Sequence, residues 1–436
     1  MDFLLTLLNL IQQLEQYYWQ FVAFSLVISV GIYLTIKSRF LQIRAMLKMG
    51  EYFRRIISNS KSNKRGINPI QLIFASTGGM IGVGNVVGVS SAVLIGGPGA
   101  LVWLWIGVFL GMMVKYSEIC LALKTRVANS DNSYDGGLMF YVQKAFKSKL
   151  LTGISAFATI IYTVEIYQFT VVVDTIQSNF EFLNRDIIIF GLLGVIMYST
   201  MGGVRRLAQI CSVMMPTFII TYLIIGIWII VNNVGNLSDL LSLIFKGAFS
   251  GQSAIGGFAG STFILTAYNG ISRAVYAGDI GIGYDSIVQS ESRSIDPKEQ
   301  GVISIYCLLL NCLICSVSML LVIITNSWSM PFKYHSDVIP MIFSQYLPYG
   351  QYFIAGVLFL AGFTTVISFL TVGFKTSEFI SKARGRKIYM LYAFAALYIF
   401  SYAPQEKLAL LMSLCAGILL TVNLLSIIKL RKDIDF

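Results

Sequence analysis

The stretch Thr77-Gly-Gly-Met-Ile-Gly-Val-Gly-Asn-Val-Val-Gly-Val-Ser-Ser-Ala-Val-Leu-Ile-Gly-Gly-Pro-Gly-Ala100 is apolar enough to enter a bilayer, yet it carries eight glycines between Gly78 and Gly99. A glycine inside a helix costs about 1 kcal/mol relative to alanine, so a cluster of them invites the helix to unwind. Unwound backbone at membrane depth survives only where it is buried in protein or lines a water-filled cavity. Discontinuous helices of that kind form the binding sites of secondary transporters. A lone Gly-x-x-x-Gly would read as a packed helix that approaches a neighbour through small residues. The Gly78-Gly79 pair and the Gly82-Val-Gly84-Asn85 run favour a broken, ligand-lining helix instead.

The rest of the chain fits that setting. It has 436 residues, 56% hydrophobic and only 12% charged, with mean hydropathy +0.74. Charged residues make up about a quarter of an ordinary soluble domain, so the chain reads as an all-α integral membrane protein. The six cysteines, Cys120, Cys211, Cys307, Cys312, Cys315 and Cys415, lie in or beside apolar segments with neither metal-ligand nor disulfide spacing. Met1–Leu10 lacks a basic leader and carries Asp2, unlike a cleavable signal. The net charge of +11 comes from loops beside apolar spans, so it speaks of membrane orientation rather than of nucleic acid.

About twenty apolar residues cross a bilayer. On that criterion eleven segments are predicted, at 17–37, 70–96, 98–122, 153–178, 187–203, 209–231, 254–276, 301–325, 351–378, 387–402 and 407–428. The fifth and tenth are the shortest. The loop after the first span holds Lys37, Arg39, Arg44, Lys48, Arg54, Arg55, Lys61, Lys64 and Arg65, which places it in the cytoplasm. Alternating sides from there puts 28 of the 32 Lys and Arg inside and four (Arg185, Lys246, Lys333, Lys407) outside. The expected orientation is N-terminus out and C-terminus in, in a bacterial or archaeal inner membrane. Residues 277–300 are acidic, with Asp279, Asp285, Glu291, Asp296 and Glu299, but acidic residues weigh little in orientation. This segment is read as a cytoplasmic loop.

A second run of glycine and small polar residues, Gly251 to Gly270, opens the seventh span, with Gly278, Gly281 and Gly283 after it. Two broken spans five apart cross the membrane in opposite directions, as an inverted five-plus-five repeat requires. The expected organisation is an extra N-terminal helix and basic loop (1–69), a first repeat of spans 2–6 (70–253) and a second of spans 7–11 (254–436).

Four stretches resemble the alanine or glycine:cation symporters, the sodium:alanine symporter family. They are Gly82-Val-Gly-Asn-Val-Val-Gly-Val89; Gly96-Gly-Pro-Gly-Ala-Leu-Val-Trp-Leu-Trp105 continuing to Lys115-Tyr-Ser-Glu118; Gly202-Gly-Val-Arg-Arg206 with Pro216; and Phe363-Thr-Thr-Val366. The resemblance runs from about residue 17 to 430. It implies eleven spans, the leucine-transporter fold, and import of a small neutral amino acid with sodium as the coupling ion and no enzyme cofactor. The chain departs from the family pattern after span seven, where Arg273-Ala-Val-Tyr-Ala-Gly-Asp279 replaces an Arg…Asn-Glu run. It departs again at Phe369, where the family tends to have tryptophan.

The chemistry of such a site constrains its residues. Sodium needs hard oxygens without fixed charge, which backbone carbonyls near Gly79 and the hydroxyls of Thr364 and Thr365 could supply. Those hydroxyls have a purely structural alternative, bonding back to their own helix. A substrate carboxylate is best held by free N–H groups at a half-helix N-terminus, offered by Thr77, Gly78, Gly79, Gly84 and Asn85. The substrate ammonium calls for acceptors, expected from carbonyls around Ala267–Gly270 with Tyr268 and Asn269 alongside. Span four adds Tyr162, Glu165, Tyr167 and Gln168. An intramembrane carboxylate such as Glu165 is expensive and therefore functional or paired: it could face the ammonium, bind a cation, carry a proton, or bond across helices in its neutral form. Glu118 is expected to pair with Lys115 at i,i+3. The single His335 and the absence of a nucleophile–base arrangement or phosphate-binding loop argue against an enzyme. Sodium-coupled uptake leads; proton coupling through Glu165, or a non-transporting sensor on the same fold, are the rivals.

Overall fold

The computed structural model describes residues 2–59, 65–130, 132–249, 263–332, 335–403 and 405–436. It is almost wholly helical, with one two-stranded hairpin pairing Val127–Ala128 and Tyr134–Asp135. The helices that build the core are α1 (Phe24–Lys37), α2 (Pro69–Met80), α3 (Gly84–Gly96), α4 (Ala100–Thr125), α5 (Lys149–Tyr162), α6 (Ile166–Asn179), α7 (Arg185–Thr200), α8 (Gly203–Asn233), α9 (Phe263–Gly278), α10 (Tyr284–Gln289), α11 (Pro297–Ile324), α12 (Gly350–Ile380), α13 (Gly385–Phe400) and α14 (Gln405–Lys429). Several start on side-chain caps that satisfy otherwise orphaned N–H groups. Asn68 accepts from Ile70 at 3.0 Å ahead of Pro69, Ser148 from Leu151 at 3.3 Å, and Asp296 from Lys298 at 2.9 Å ahead of Pro297. Proline at the first helical position loses only an N–H that had no partner.

Among the described residues, seven helices are long and apolar enough to cross a membrane, or eight if the bent α2–α3 pair is one span. Span one is longer than its sequence signal: Leu10–Lys37 passes the test as a unit, with a π-helical turn at Tyr18–Ala23.

Three discontinuities lie among these helices. α2 and α3 meet at a 57° bend across residues 81–83, within the glycine-rich run. α5 and α6 part at Thr163–Glu165, where Glu165 has φ +51°; no glycine marks this break. α9 and α10 part at 279–283, where Asp279, Gly281 and Gly283 have φ +47°, +79° and +101°.

Two expectations for the seventh span are thereby corrected. The carbonyls of Ala267–Gly270 belong to the continuous helix α9, so they bond within the helix and are not free acceptors. Of the segment expected as a cytoplasmic loop (277–300), residues 277–292 are instead packed into the interior, while Ile295, Asp296 and Lys298 are exposed. Asp279, Asp285, Ser286, Gln289 and Ser290 are all buried, and α10 forms within it. The glycine run before α9 (residues 251–262) lies outside the described residues.

One end of the molecule is closed by polar ties around α10. Ile67 N–H donates to the Glu291 carbonyl and Arg293 N–H to the Ile67 carbonyl, both at 2.8 Å. Arg126 donates to the carbonyls of Ser290, Ser292 and Ser294 at 3.0, 2.6 and 2.8 Å. Lys375 of α12 pairs with Glu291 at 2.5 Å and Asp135 at 3.0 Å. Bidentate and clustered charge-assisted bonds of this kind are the strong ones.

Candidate functional site

The bend between α2 and α3 is held open by side chains rather than left slack. Asn85 Oδ1 accepts from the Gly82 N–H at 3.0 Å, capping the new helix start. Its Nδ2 donates to the Ala277 carbonyl at 3.3 Å and to Asn311 Oδ1, so Asn85 ties the first break to the end of α9. Gln168 of α6 reaches across and accepts from the Val83 N–H at 2.9 Å. On the other side, Thr365 Oγ1 of α12 donates to the Gly78 carbonyl at 3.1 Å or the Ala361 carbonyl at 3.0 Å. A Cβ at Gly82 would come within 2.7 Å of Thr365 Oγ1 and 2.9 Å of Gln168 Nε2. Glycine there lets both side chains close on the gap.

Of the residues expected at the site, Gly78, Gly84, Gln168 and Thr365 gather at this gap. Thr364 stands apart: its hydroxyl bonds the Leu360 and Ala361 carbonyls at 2.8 and 3.0 Å and faces Met215. Thr77 likewise uses its hydroxyl on the Ile73 carbonyl at 2.8 Å. Gly79 lies against the Tyr284 ring. That ring stacks on Phe369 at 4.3 Å, and Tyr162 meets Phe369 edge-on at 5.6 Å.

A cavity of about 620 Å³ opens beside the gap. Glu165, Gln168, Tyr162, Tyr268 and Asn269 line it, together with Glu15, Ser272, Arg273 and Ser413. Glu165 and Gln168 sit at the start of α6, so the span-four break aims both at the cavity. Glu165 is buried and has no ion-pair partner among the described residues. Asn269 spends its amide on the Leu265 carbonyl at 2.8 Å, leaving its carbonyl oxygen as the acceptor it can offer.

Sequence reasoning missed Gly82, Arg273 and Tyr284. Gly82 lay in the decisive stretch, and its signal was the spacing to Gly84. Arg273 was counted with the inner cations, yet it lines the cavity beside the N-terminal residues Gln12 and Glu15. Tyr284 carried no signal until α10 folded inward.

Asn85→Ala should lower thermal stability by about 1–3 kcal/mol, because it strands the buried Gly82 N–H and Ala277 carbonyl. A drop in the unfolding midpoint of purified protein checks this; an unchanged midpoint means the cap contributes nothing.

Comparison with known proteins agrees with this architecture. The profile of the sodium:alanine symporter family matches residues 4–434. An uncharacterized transporter of Haemophilus influenzae is 28% identical over 440 residues, covering 99% of this chain and 95% of that protein. The probable sodium/glutamine symporter GlnT of Bacillus subtilis is 26% identical, over 95% and 86% of the two chains. The sodium/alanine symporter AgcS of Methanococcus maripaludis is 24% identical, over 90% and 86%. Among solved structures, a substrate-bound, outward-open sodium-coupled sialic acid symporter superposes with a TM-score of 0.54 at 13% identity, over 92% of this chain and 80% of that one. Mhp1, a nucleobase-cation-symport-1 family transporter, gives 0.54 at 12% identity, over 80% and 75%. At such identities the likeness is one of fold.

Proposed function

The chain belongs to the sodium:alanine symporter family, and from that premise we propose that it imports a small neutral amino acid with sodium by alternating access. The observation that carries this reading is the gap between α2 and α3, where the Gly78 carbonyl and Thr365 hydroxyl face each other at 3.1 Å beside a polar cavity. Those two oxygens, with neighbouring carbonyls near Gly79, are the sodium ligands in this reading, and Thr364 contributes if its rotamer turns. Sodium there neutralises no fixed charge, so it can also leave.

The substrate carboxylate sits at the start of α3, on the Gly84 N–H, those of Gly82, Val83 and Asn85 being taken by Asn85 Oδ1, Gln168 Oε1 and the Gly82 carbonyl. Glu165 faces the ammonium, while Tyr268 and Asn269 form one wall and Phe369, through the rings it supports, the floor. Relatives described as a sodium/alanine symporter and a probable sodium/glutamine symporter favour an uncharged side chain.

The eleven-span, five-plus-five arrangement with repeats at 70–253 and 254–436 belongs to the same proposal. It is supported by the α2–α3 break within span two and the α9–α10 break at 279–283, just past the expected end of span seven. An N-terminus outside the cell is supported by the charge bias of the loops.

Counterflow of labelled alanine into proteoliposomes, with sodium titrated, tests the function. Accumulation that needs sodium is the expected result; binding without flux identifies a sensor, and sodium-independent flux refutes the coupling.

A second reading, proton carriage by Glu165, is favoured by one fact: its carboxyl faces the cavity with no cationic partner. Glu165→Gln separates the two. Ammonium pairing predicts that the variant binds substrate about tenfold more weakly at every pH, roughly 1.4 kcal/mol. Proton carriage predicts loss of pH-gradient-driven uptake with exchange retained.

A further inference from the structure

A group of charged side chains lies at the α9–α10 break, behind the Tyr162 and Glu165 wall of the cavity but not lining it, and the transport reading leaves it unused. Lys115 and Glu118 of α4 and Asp279 and Asp285 flanking the break are 0–2% exposed. Lys115 Nζ lies 3.0 Å from Asp279 Oδ2 and 4.0 Å from Glu118 Oε2. Ser76 of α2 donates to Asp285 Oδ1 at 2.6 Å. Asn423 of α14 donates to Glu118 Oε1 at 2.8 Å and to the Gly281 carbonyl at 2.9 Å, and is itself held by the Tyr141 hydroxyl at 2.8 Å.

The group therefore has three carboxyls and one ammonium. One oxygen of each carboxyl, Glu118 Oε2, Asp279 Oδ1 and Asp285 Oδ2, is enclosed without a hydrogen-bond donor. The other titratable groups facing the cluster are Tyr141 towards Glu118, Tyr284 and Cys307 towards Asp285, and Tyr162 and Glu165 towards Asp279. None is basic. Nor do three or more His, Cys, Asp or Glu side chains converge as a metal site among the described residues.

With every group ionised, the cluster would hold two excess negative charges out of water. An uncompensated buried charge costs several kcal/mol, and a carboxyl avoids that cost by taking a proton. Asp279 is the carboxyl nearest Lys115 and forms the ion pair. That leaves Glu118 and Asp285, each with one oxygen satisfied by a neutral donor and the other without a hydrogen-bond donor, Glu118 Oε2 lying 4.0 Å from Lys115 Nζ.

We propose that this cluster is a proton-binding site. Glu118 and Asp285 each carry a proton beside the ionised Lys115–Asp279 pair, and return it to water when the α9–α10 break moves. The break is the natural trigger: Asp279 sits in the left-handed region, which a non-glycine residue occupies only under constraint. The cluster also touches both discontinuous segments, through Ser76 on α2 and Gly281 in the break, so the hinge and the protons are coupled by contact.

Infrared spectroscopy of the full-length protein in lipid tests the proposal without relying on transport. The Glu165→Gln background removes the cavity carboxyl from the readout. At neutral pH the carbonyl-stretch band of protonated carboxylic acids is expected. Glu118→Gln and Asp285→Asn should each remove about half of its intensity. Should either variant fail to fold, carboxyl-labelled glutamate or aspartate in the unmutated cluster should shift the matching component. No band at neutral pH, or full intensity in both variants with no shift on either label, means that both carboxyls are ionised and overturns the site. Loss of sodium-dependent counterflow would instead bear on the transport reading alone.

Discussion

Gly79→Val should abolish binding of alanine while the protein still inserts and purifies. A Cβ at Gly79 runs into the Tyr284 ring, and valine adds two more carbons. That ring has nowhere to go: it is stacked on Phe369, and its hydroxyl donates to the Ala75 carbonyl at 3.1 Å. Overpacking a closed site costs about 1–3 kcal/mol even where neighbours can shift, and here the strain falls on the gap itself. A thermal-shift titration with alanine and sodium gives the measurement. Gly84→Ala provides the contrast, since the nearest atom to its Cβ is Gln168 Nε2 at 4.0 Å. Wild-type affinity in Gly79→Val would show that the gap is no part of the binding site.

Thr365→Ala should raise the sodium concentration for half-maximal uptake by roughly five- to a hundred-fold, the equivalent of about 1–3 kcal/mol for one lost oxygen ligand. Thr365 is the hydroxyl that faces the Gly78 carbonyl across the gap. Thr364→Ala should have the smaller effect, because that hydroxyl bonds its own helix and looks towards Met215. Sodium titration of uptake in both variants decides the matter. Equal, unshifted curves would remove sodium from this place.

The first break was legible because its cause is local: glycines at 78, 79, 82 and 84 weaken the helix wherever it is placed. The break before α6 was not legible, since Thr163-Val-Glu165 contains no residue that prefers a left-handed backbone. Burial of Glu165 at the cavity wall holds it there, and that is a tertiary effect. Gly278, Gly281 and Gly283 stand where α9 gives way to α10, but the sequence reading places the opening in the denser glycine run upstream, residues 251–262 of which lie outside the described residues. The acidic stretch beyond α9 reads as a cytoplasmic loop from sequence, because the partners that bury its first part are remote. Asp279 meets Lys115 across 164 positions, and Asp285 meets Ser76 across 209. For the same reason the pairing expected between Lys115 and Glu118 is the looser of two contacts, and the tighter one was invisible. At the site, Gln168 could be suspected as a polar residue in an apolar span, but its grip on the Val83 N–H could not.

Tyr162, Phe369 and Tyr284 form an unbroken ladder of rings from the cavity wall to the side of Gly79. Rings at such separations attract one another by about 0.5–1.5 kcal/mol per pair beyond the area they cover. On the transport reading proposed above, a solute held at the cavity would wait until this ladder unlocks. Two solutes held equally tightly should then cross at different speeds according to their girth, because the wider one needs a rarer opening. Selectivity of that kind is kinetic, set by waiting time, and equilibrium binding would not reveal it.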